Sequence, residues 1–230
     1  MRLAKIFTTE EPTFDYEAEN RFFATRIEDA PNLPWLIDDL RLWVPQPHAA
    51  FNGKRVLEIG SSEGALARTV VENFEPEMYV ALDIIQRRLI GTERLRPRHS
   101  NLYAVTGSAF ALPIGDCKFD VILNNGTLNH LPHIDVAACE FARVLRPGGV
   151  YFGREPNGYN PAVRWISTRS KAASPNTVPV LERKVKKSFE NAGFEVFTDF
   201  FWRRLPMLKY RFLAVSLRIQ ATKRPSIADS

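Results

Sequence analysis

Cysteine is scarce: the 230 residues hold only Cys117 and Cys139, with no close Cys/His grouping. That excludes a disulfide framework and a zinc-ligand spacing, and it suits a reducing compartment. Long hydrophobic runs are missing too. The opening stretch MRLAKIFTTEEPTFDYEAEN meets acids after a few apolar residues, so it lacks the continuous apolar segment of a signal peptide. No run approaches the roughly 20 residues of a membrane-spanning helix. The expectation is a soluble cytoplasmic protein with no membrane span. No internal repeat is visible. The hydrophobic fraction of 45% is ordinary, and the length supports one α/β domain with a buried core and a small cap. A strong excess of one charge is lacking as well, since the net charge is only +5. The cations are nonetheless clustered, in QRRLIGTERLRPRH, in ERKVKK and in FWRRLPMLKYR. Such clusters attract phosphates, acidic lipids or nucleic acid, or simply form a solvated basic face.

What is present is an alternation of strand and helix signals. Residues 1–50 read as an N-terminal helical cap. YEAENRFFATRIED has partly helical spacing, and PWLIDDLRLWV is amphipathic, with Trp35, Leu36, Leu40 and Trp43 on one face. The cap lies either across a cleft or along a sheet edge. From residue 51 to 220 come the strands RVLEI, MYVALD, NLYAVTG, FDVILNN and VYFGREP. Helices EGALARTVVENF, IIQRRLIGTERL and IDVAACEFARVL alternate with them. The last of these helices directs Val136, Phe141, Val144 and Leu145 inward. A long polar connection with a short helix near AVRWIS leads to the helix LERKVKKSFENAG. FEVFTDFFW and FLAVSLRIQ follow, too close together for a crossover helix, so they predict an antiparallel end. Residues 221–230 read as a disordered tail. The pattern predicts a doubly wound, mostly parallel seven-stranded sheet with the last strand antiparallel.

The turn VLEIGSSEGA joins the first strand to its helix. A glycine turn at a helix start presents backbone N–H groups to a ligand. Counted as a dinucleotide fingerprint, the positions are Gly60, Ser62 and Ala65, and Ser62 obstructs a pyrophosphate. Counted from the acid Glu58, they are Gly60, Ser62 and Gly64. In this frame the chain resembles the class I, Rossmann-like S-adenosylmethionine-dependent methyltransferases, small-molecule branch, over roughly residues 52–155. EIGSSEG, VALD, GSAFALPIGDCKFDVIL and EFARVLRPGGVYFGREPN follow in the order that family shows. The resemblance implies S-adenosyl-L-methionine as cofactor. It places Glu58, Gly60, Ser61, Ser62 and Gly64 at the methionine end, Glu58 opposite its ammonium. Asp83 falls on the ribose hydroxyls with Ile84 on the adenine face. Ser108, Ala109 and Phe110 make the adenine pocket, with Ser108 standing where an aspartate is usual, and Asn124 and Asn125 border the methionine moiety.

Methyl transfer needs a base only when the acceptor arrives protonated. NNGTLNHLPH offers His130 and His133, and REPNGYN offers Glu155, with Tyr159 and Asn160 beside it. No metal is expected: Pro132 interrupts the His130–His133 pair and no third ligand is evident. Trp165, Trp202 and Tyr210 either line a substrate pocket or pack in the core, the latter being the expectation. The Asn/Asp-Pro-Pro-aromatic signature of base methylation is missing, which argues against a nucleic-acid substrate. The expectation is an enzyme methylating a small molecule, oxygen ahead of nitrogen or carbon, in carbohydrate or secondary-metabolite chemistry. The basic clusters suit an acceptor with phosphate or carboxylate. An RNA or DNA methyltransferase, a non-catalytic cofactor-binding subunit and a nicotinamide-dependent oxidoreductase stay open as alternatives. The oligomeric state is left undetermined.

Overall fold

The computed structural model describes residues 15, 17, 18, 21, 30–169, 177–202 and 210–225. The cap begins, as described, with α1 (Leu36–Trp43) and α2 (Pro47–Phe51). Then come β1 (Arg55–Ile59), α3 (Ala65–Asn73), β2 (Met78–Asp83), α4 (Ile90–Leu95), β3 (Leu102–Thr106) and β4 (Phe119–Asn125). After them follow α5 (Ile134–Val144), β5 (Leu145–Pro156), α6 (Pro161–Arg169), α7 (Glu182–Asn191), β6 (Phe194–Phe201) and β7 (Ser216–Lys223). The seven strands form one sheet in the order β3-β2-β1-β4-β5-β7-β6. Strands β1 to β5 pair in parallel, whereas β7 is antiparallel to both β5 and β6. This is the doubly wound, Rossmann-like sheet that the alternation predicts.

Strand parity sorts the core into two layers. On one face Leu57, Ile59, Leu82 and Ile122 pack with Ala137 and Phe141 of α5 and Val185 and Phe189 of α7. On the other, Val56, Tyr79, Ala81 and Leu123 meet Leu40 and Trp43 of α1, Phe51 of α2 and Val70 of α3. The cap thus lies on a sheet face, and its α2 runs past residue 50 into the core.

Several local expectations change. Leu36, Leu40 and Trp43 are buried as read, with Asp39 beside them, whereas Trp35 stands at the N-cap, ahead of the helix, and is 43% exposed. In α5 the buried positions are Ile134, Ala137, Ala138, Phe141 and Val144, with Val136 only half-buried. IIQRRLIGTERL divides into a 3-10 turn over Gln86–Leu89 and the short α4. The final strand starts at Ser216 and continues to Lys223, because Ala221, Thr222 and Lys223 still pair with β6, so the tail begins later than residue 221. Residues 226–230 and most of YEAENRFFATRIED lie outside the described residues. Among the described residues no helix is long and apolar enough to cross a membrane.

Candidate functional site

In a parallel sheet whose neighbours wind in opposite directions, the crevice opens beyond the carboxyl ends of the strands. Here a cavity of about 280 Å³ lies at the ends of β1, β2 and β4. Of the residues read from the sequence, Gly60, Ser62, Asp83, Ile84, Ser108, Ala109, Phe110, Asn125 and His130 line it. Ile59, Leu82, Ile85, Arg88, Gly107, Gly126, Thr127 and Leu131 complete the wall.

The turn after β1 is built on left-handed backbone. Gly60 has φ +72°, and a Cβ there would overlap the side chain of Thr127, so the loops after β1 and β4 meet at this point. Thr127 closes the contact by donating its hydroxyl to the Ile59 carbonyl at 3.1 Å. Ser62 sits at φ +54°, a conformation that glycine adopts without a Cβ penalty. Its amide donates to Asp83 Oδ2 at 2.9 Å, while its hydroxyl contacts the Arg88 guanidinium and the Glu63 carboxylate. The other carboxylate oxygen of Asp83 accepts the Ile85 amide at 2.9 Å. Asp83 is buried, and burial raises its pKa against the opposing pull of the Ile85 N–H, Arg88 and the Ser62 N–H. Burial also pushes Glu63 upward, but the Ser62 hydroxyl and Arg88 outweigh it and hold this carboxyl below its usual range.

The other sequence-derived candidates do not reach the cavity wall. Glu58 shares its strand face with Val56 and points into the layer beneath α1 and α3, where the Tyr79 hydroxyl donates to it at 2.9 Å. Burial, partly offset by that bond and reinforced by the charge of Asp83, lifts its pKa to about 8. An ammonium in the cavity therefore does not face Glu58. Ser61 is buried with its hydroxyl unpartnered. Gly64, at φ +87°, lets the start of α3 approach Thr92 of α4. Asn124 is fully buried behind the wall, its Oδ1 accepting the Thr127 amide at 3.3 Å.

Glu155 is 1% exposed and serves as an anchor. One oxygen accepts the amides of Thr127 and Leu128 at 3.1 and 2.9 Å, and the other accepts that of Asn129 at 3.2 Å. Burial raises its pKa to about 7, against the three amides and the neighbouring His130. It holds the loop after β4 and leaves no face for an acceptor. His133 is exposed at the start of α5 and off the cavity wall. Asn160 caps α6 and Tyr159 meets Phe200 and Phe212 edge-on, both away from the cavity. Trp165 and Tyr210 are 58% and 73% exposed, not core residues. Among the described residues no three His, Cys, Asp or Glu side chains converge as metal ligands. Sequence reasoning misses Arg88 and Thr127. Their contacts join positions 26 and 67 residues beyond Ser62 and Gly60, and no local pattern signals them.

The cavity's chemistry suits a nucleoside. It offers one buried carboxylate with lone pairs left for hydroxyls, an aliphatic ledge at Leu82, Ile84 and Ile85, and turns stripped of side chains at Gly60 and Gly126. Comparisons with known proteins agree. Residues 57–153 match the family model described as a methyltransferase domain. A fatty-acid O-methyltransferase of Mycolicibacterium smegmatis is 40% identical over 105 residues, which is 45% of this chain and 37% of that one. A phthiotriol/phenolphthiotriol dimycocerosates methyltransferase of Mycobacterium ulcerans is 32% identical over 51% of this chain and 43% of its own. The chain thus spans less than half the length of these curated relatives. A solved S-adenosylmethionine-dependent methyltransferase from Mesorhizobium loti superposes with a TM-score of 0.65 at 13% identity, covering 81% of this chain and 96% of that one, a likeness of fold. Taken with the turn at Gly60, the buried Asp83 and the strand order, these matches make residues 57–153 similar to a methyltransferase domain, on a sheet with the fold of solved S-adenosylmethionine-dependent methyltransferases.

Proposed function

We propose that this protein transfers a methyl group from S-adenosylmethionine to an oxygen of a small lipid-like acceptor. The observation that carries the cofactor half is the cavity, in which a buried Asp83 stands beside an aliphatic ledge at the ends of β1 and β2. The bound cofactor supplies a methyl already activated on a cationic sulfur. Asp83, steadied by the Ser62 and Ile85 amides, accepts the two ribose hydroxyls. Ile84 and Ile85 cover one adenine face, and Ala109 and Phe110 the other. The Ser108 hydroxyl reaches the base edge. Main chain at Gly60 and Gly126, with Asn125 and Thr127, holds the amino-acid end. Leu131, on the cavity wall beside His130, helps exclude water around the reacting oxygen.

The acceptor half is supported by the relatives, named for fatty-acid, phthiotriol and malonyl-[acyl-carrier protein] methylation. A carboxylate acceptor arrives ionised and needs no base. A hydroxyl acceptor requires one, and His130 is the cavity-lining group able to take that proton.

Purified protein is incubated with methyl-labelled S-adenosylmethionine and, separately, fatty acids, hydroxylated lipids, sugars and RNA, with products read by mass spectrometry. Labelled methyl esters or ethers of the lipids are expected. Label on RNA or sugar alone overturns the acceptor class, and cofactor binding without turnover on any acceptor overturns the transferase reading.

A further inference from the structure

Of the residues on the cavity wall, Ser62 alone has left-handed backbone without being glycine. Its φ of +54° costs a side chain steric strain. The site depends on that conformation, because it turns the Ser62 amide onto Asp83 Oδ2. Main-chain bonds restrain the turn on either side. The Gly60 and Ser61 amides donate to the Leu82 carbonyl at 2.8 and 3.0 Å, and the Gly64 amide donates to the Ser61 carbonyl at 3.0 Å. None of these bonds engages Ser62 itself.

The side chain of Ser62 is held by Arg88, which lies 26 residues on, in the 3-10 turn Gln86–Leu89. The guanidinium donates to the Ser62 hydroxyl and, from Nε and Nη2, to the two carboxylate oxygens of Glu63 at 3.4 Å each. The Ser62 hydroxyl donates in turn to Glu63. Three side chains thus close a ring of polar contacts, which the fork of an arginine matches and a point charge does not. With side chains 13% and 20% exposed, Arg88 and Glu63 are shielded from the solvent that makes surface pairs weak. Both ends of the ring are seated. The Arg88 amide donates to the Ile85 carbonyl at 3.0 Å, and the Ile85 amide holds the other oxygen of Asp83. The Glu63 carbonyl packs so closely on Gly91 of α4 that a Cβ there would overlap it.

We propose that Arg88 is a positioning residue for the cofactor: it reaches across from the turn after β2, holds Ser62 in its left-handed conformation and so aims the Ser62 amide at the carboxylate that receives the ribose. It acts through Ser62 rather than on the ligand. A cation on the cavity wall also suits the grip of an anionic acceptor, but here Glu63 contacts the guanidinium and Asp83 stands within its field, so its charge is already matched. The inference rests on the reading of Asp83 as the ribose site and deepens it, since it explains how a serine serves where the resembling family has glycine.

The test is a double-mutant cycle on the whole chain, with Arg88→Met and Ser62→Gly made singly and together. Glycine adopts left-handed backbone without help. Two quantities are read: calorimetric affinity for S-adenosylmethionine, and amide exchange at position 62 in the free chain. In the wild-type background Arg88→Met is expected to weaken affinity about tenfold and to speed that exchange about tenfold. In the Ser62→Gly background the same substitution is expected to change either quantity by less than about threefold. Arg88→Lys, which keeps the charge and loses the fork, falls between, and it carries the comparison if Arg88→Met does not fold. Equal losses in both backgrounds overturn the proposal and put Arg88 on the ligand itself. A lower urea midpoint with affinity and exchange unchanged also overturns it, as that is the result of a merely structural ion pair. Wild type that binds no S-adenosylmethionine overturns the cofactor reading alone, because exchange in the free chain still decides the role of Arg88.

Discussion

Asp83 shows how much one side chain does here. Its carboxylate fixes the turn through Ser62 and Ile85 and keeps lone pairs for a ligand. Asp83→Ala is expected to weaken S-adenosylmethionine binding about 100-fold, the loss of two charge-assisted hydroxyl bonds, as read by calorimetry. Near-unchanged affinity would place the ribose elsewhere. Glu58 makes a different prediction. Its folded pKa of about 8 stands above the ordinary 4.5. Between those values the folded chain holds a proton that the unfolded chain has released, so stability falls as pH rises through this window and levels off above it. Glu58→Gln removes that term while keeping an acceptor for Tyr79. The stability difference between variant and wild type should shift in the variant's favour by roughly 4 kcal/mol between pH 5 and pH 9, measured by urea unfolding. A flat difference would mean that Glu58 is ionised throughout. The family resemblance sets Glu58 opposite the cofactor's ammonium, whereas the structure holds it within β1 against Tyr79. Strand alternation, which puts it on the same face as Val56, carries the signal that the motif alone does not.

At the scale of the element, the loop after β4 depends on β5. Glu155 supplies the acceptor for three successive amides. Glu155→Ala leaves them without it and is expected to cost about 3 kcal/mol, with faster amide exchange at Thr127, Leu128 and Asn129. Cofactor affinity falls with it, because Thr127 and His130 line the cavity. Glu155→Gln, which keeps one carbonyl oxygen, recovers part of the loss. Exchange unchanged in the alanine variant would show that the loop holds itself. None of this anchoring is visible in REPN, because its partners lie 26 to 28 residues earlier. The strands themselves are legible, since RVLEI and FDVILNN are apolar runs bounded by turn residues and the structure begins and ends them at the same positions. The end of α6 and the turn at Tyr210 are not. Their aromatics look like core residues in the sequence, and only Asn157 and Asn160, which donate to the Arg211 and Leu213 carbonyls, turn them outward.

Across the whole molecule, the cap and the cavity separate. Trp43 is fully buried between α1 and the sheet, whereas no described residue of α1 lines the cavity. Trp43→Ala is expected to cost about 3–5 kcal/mol of stability yet leave S-adenosylmethionine affinity within about threefold, a small fraction of that free energy. Calorimetry beside denaturant unfolding checks both, and a parallel collapse of affinity would tie the cap to the site. The sheet carries a further consequence. Strand β7 lies between β5 and β6, and among the described strands β6 pairs with β7 only. During vectorial synthesis β6 therefore emerges before its sheet partner, with only α7 to pack against, and its backbone waits until residues 216–223 have left the ribosome. A stop codon before Ser216 would strand two strands rather than one, and the nascent chain would be a client for chaperones over that interval.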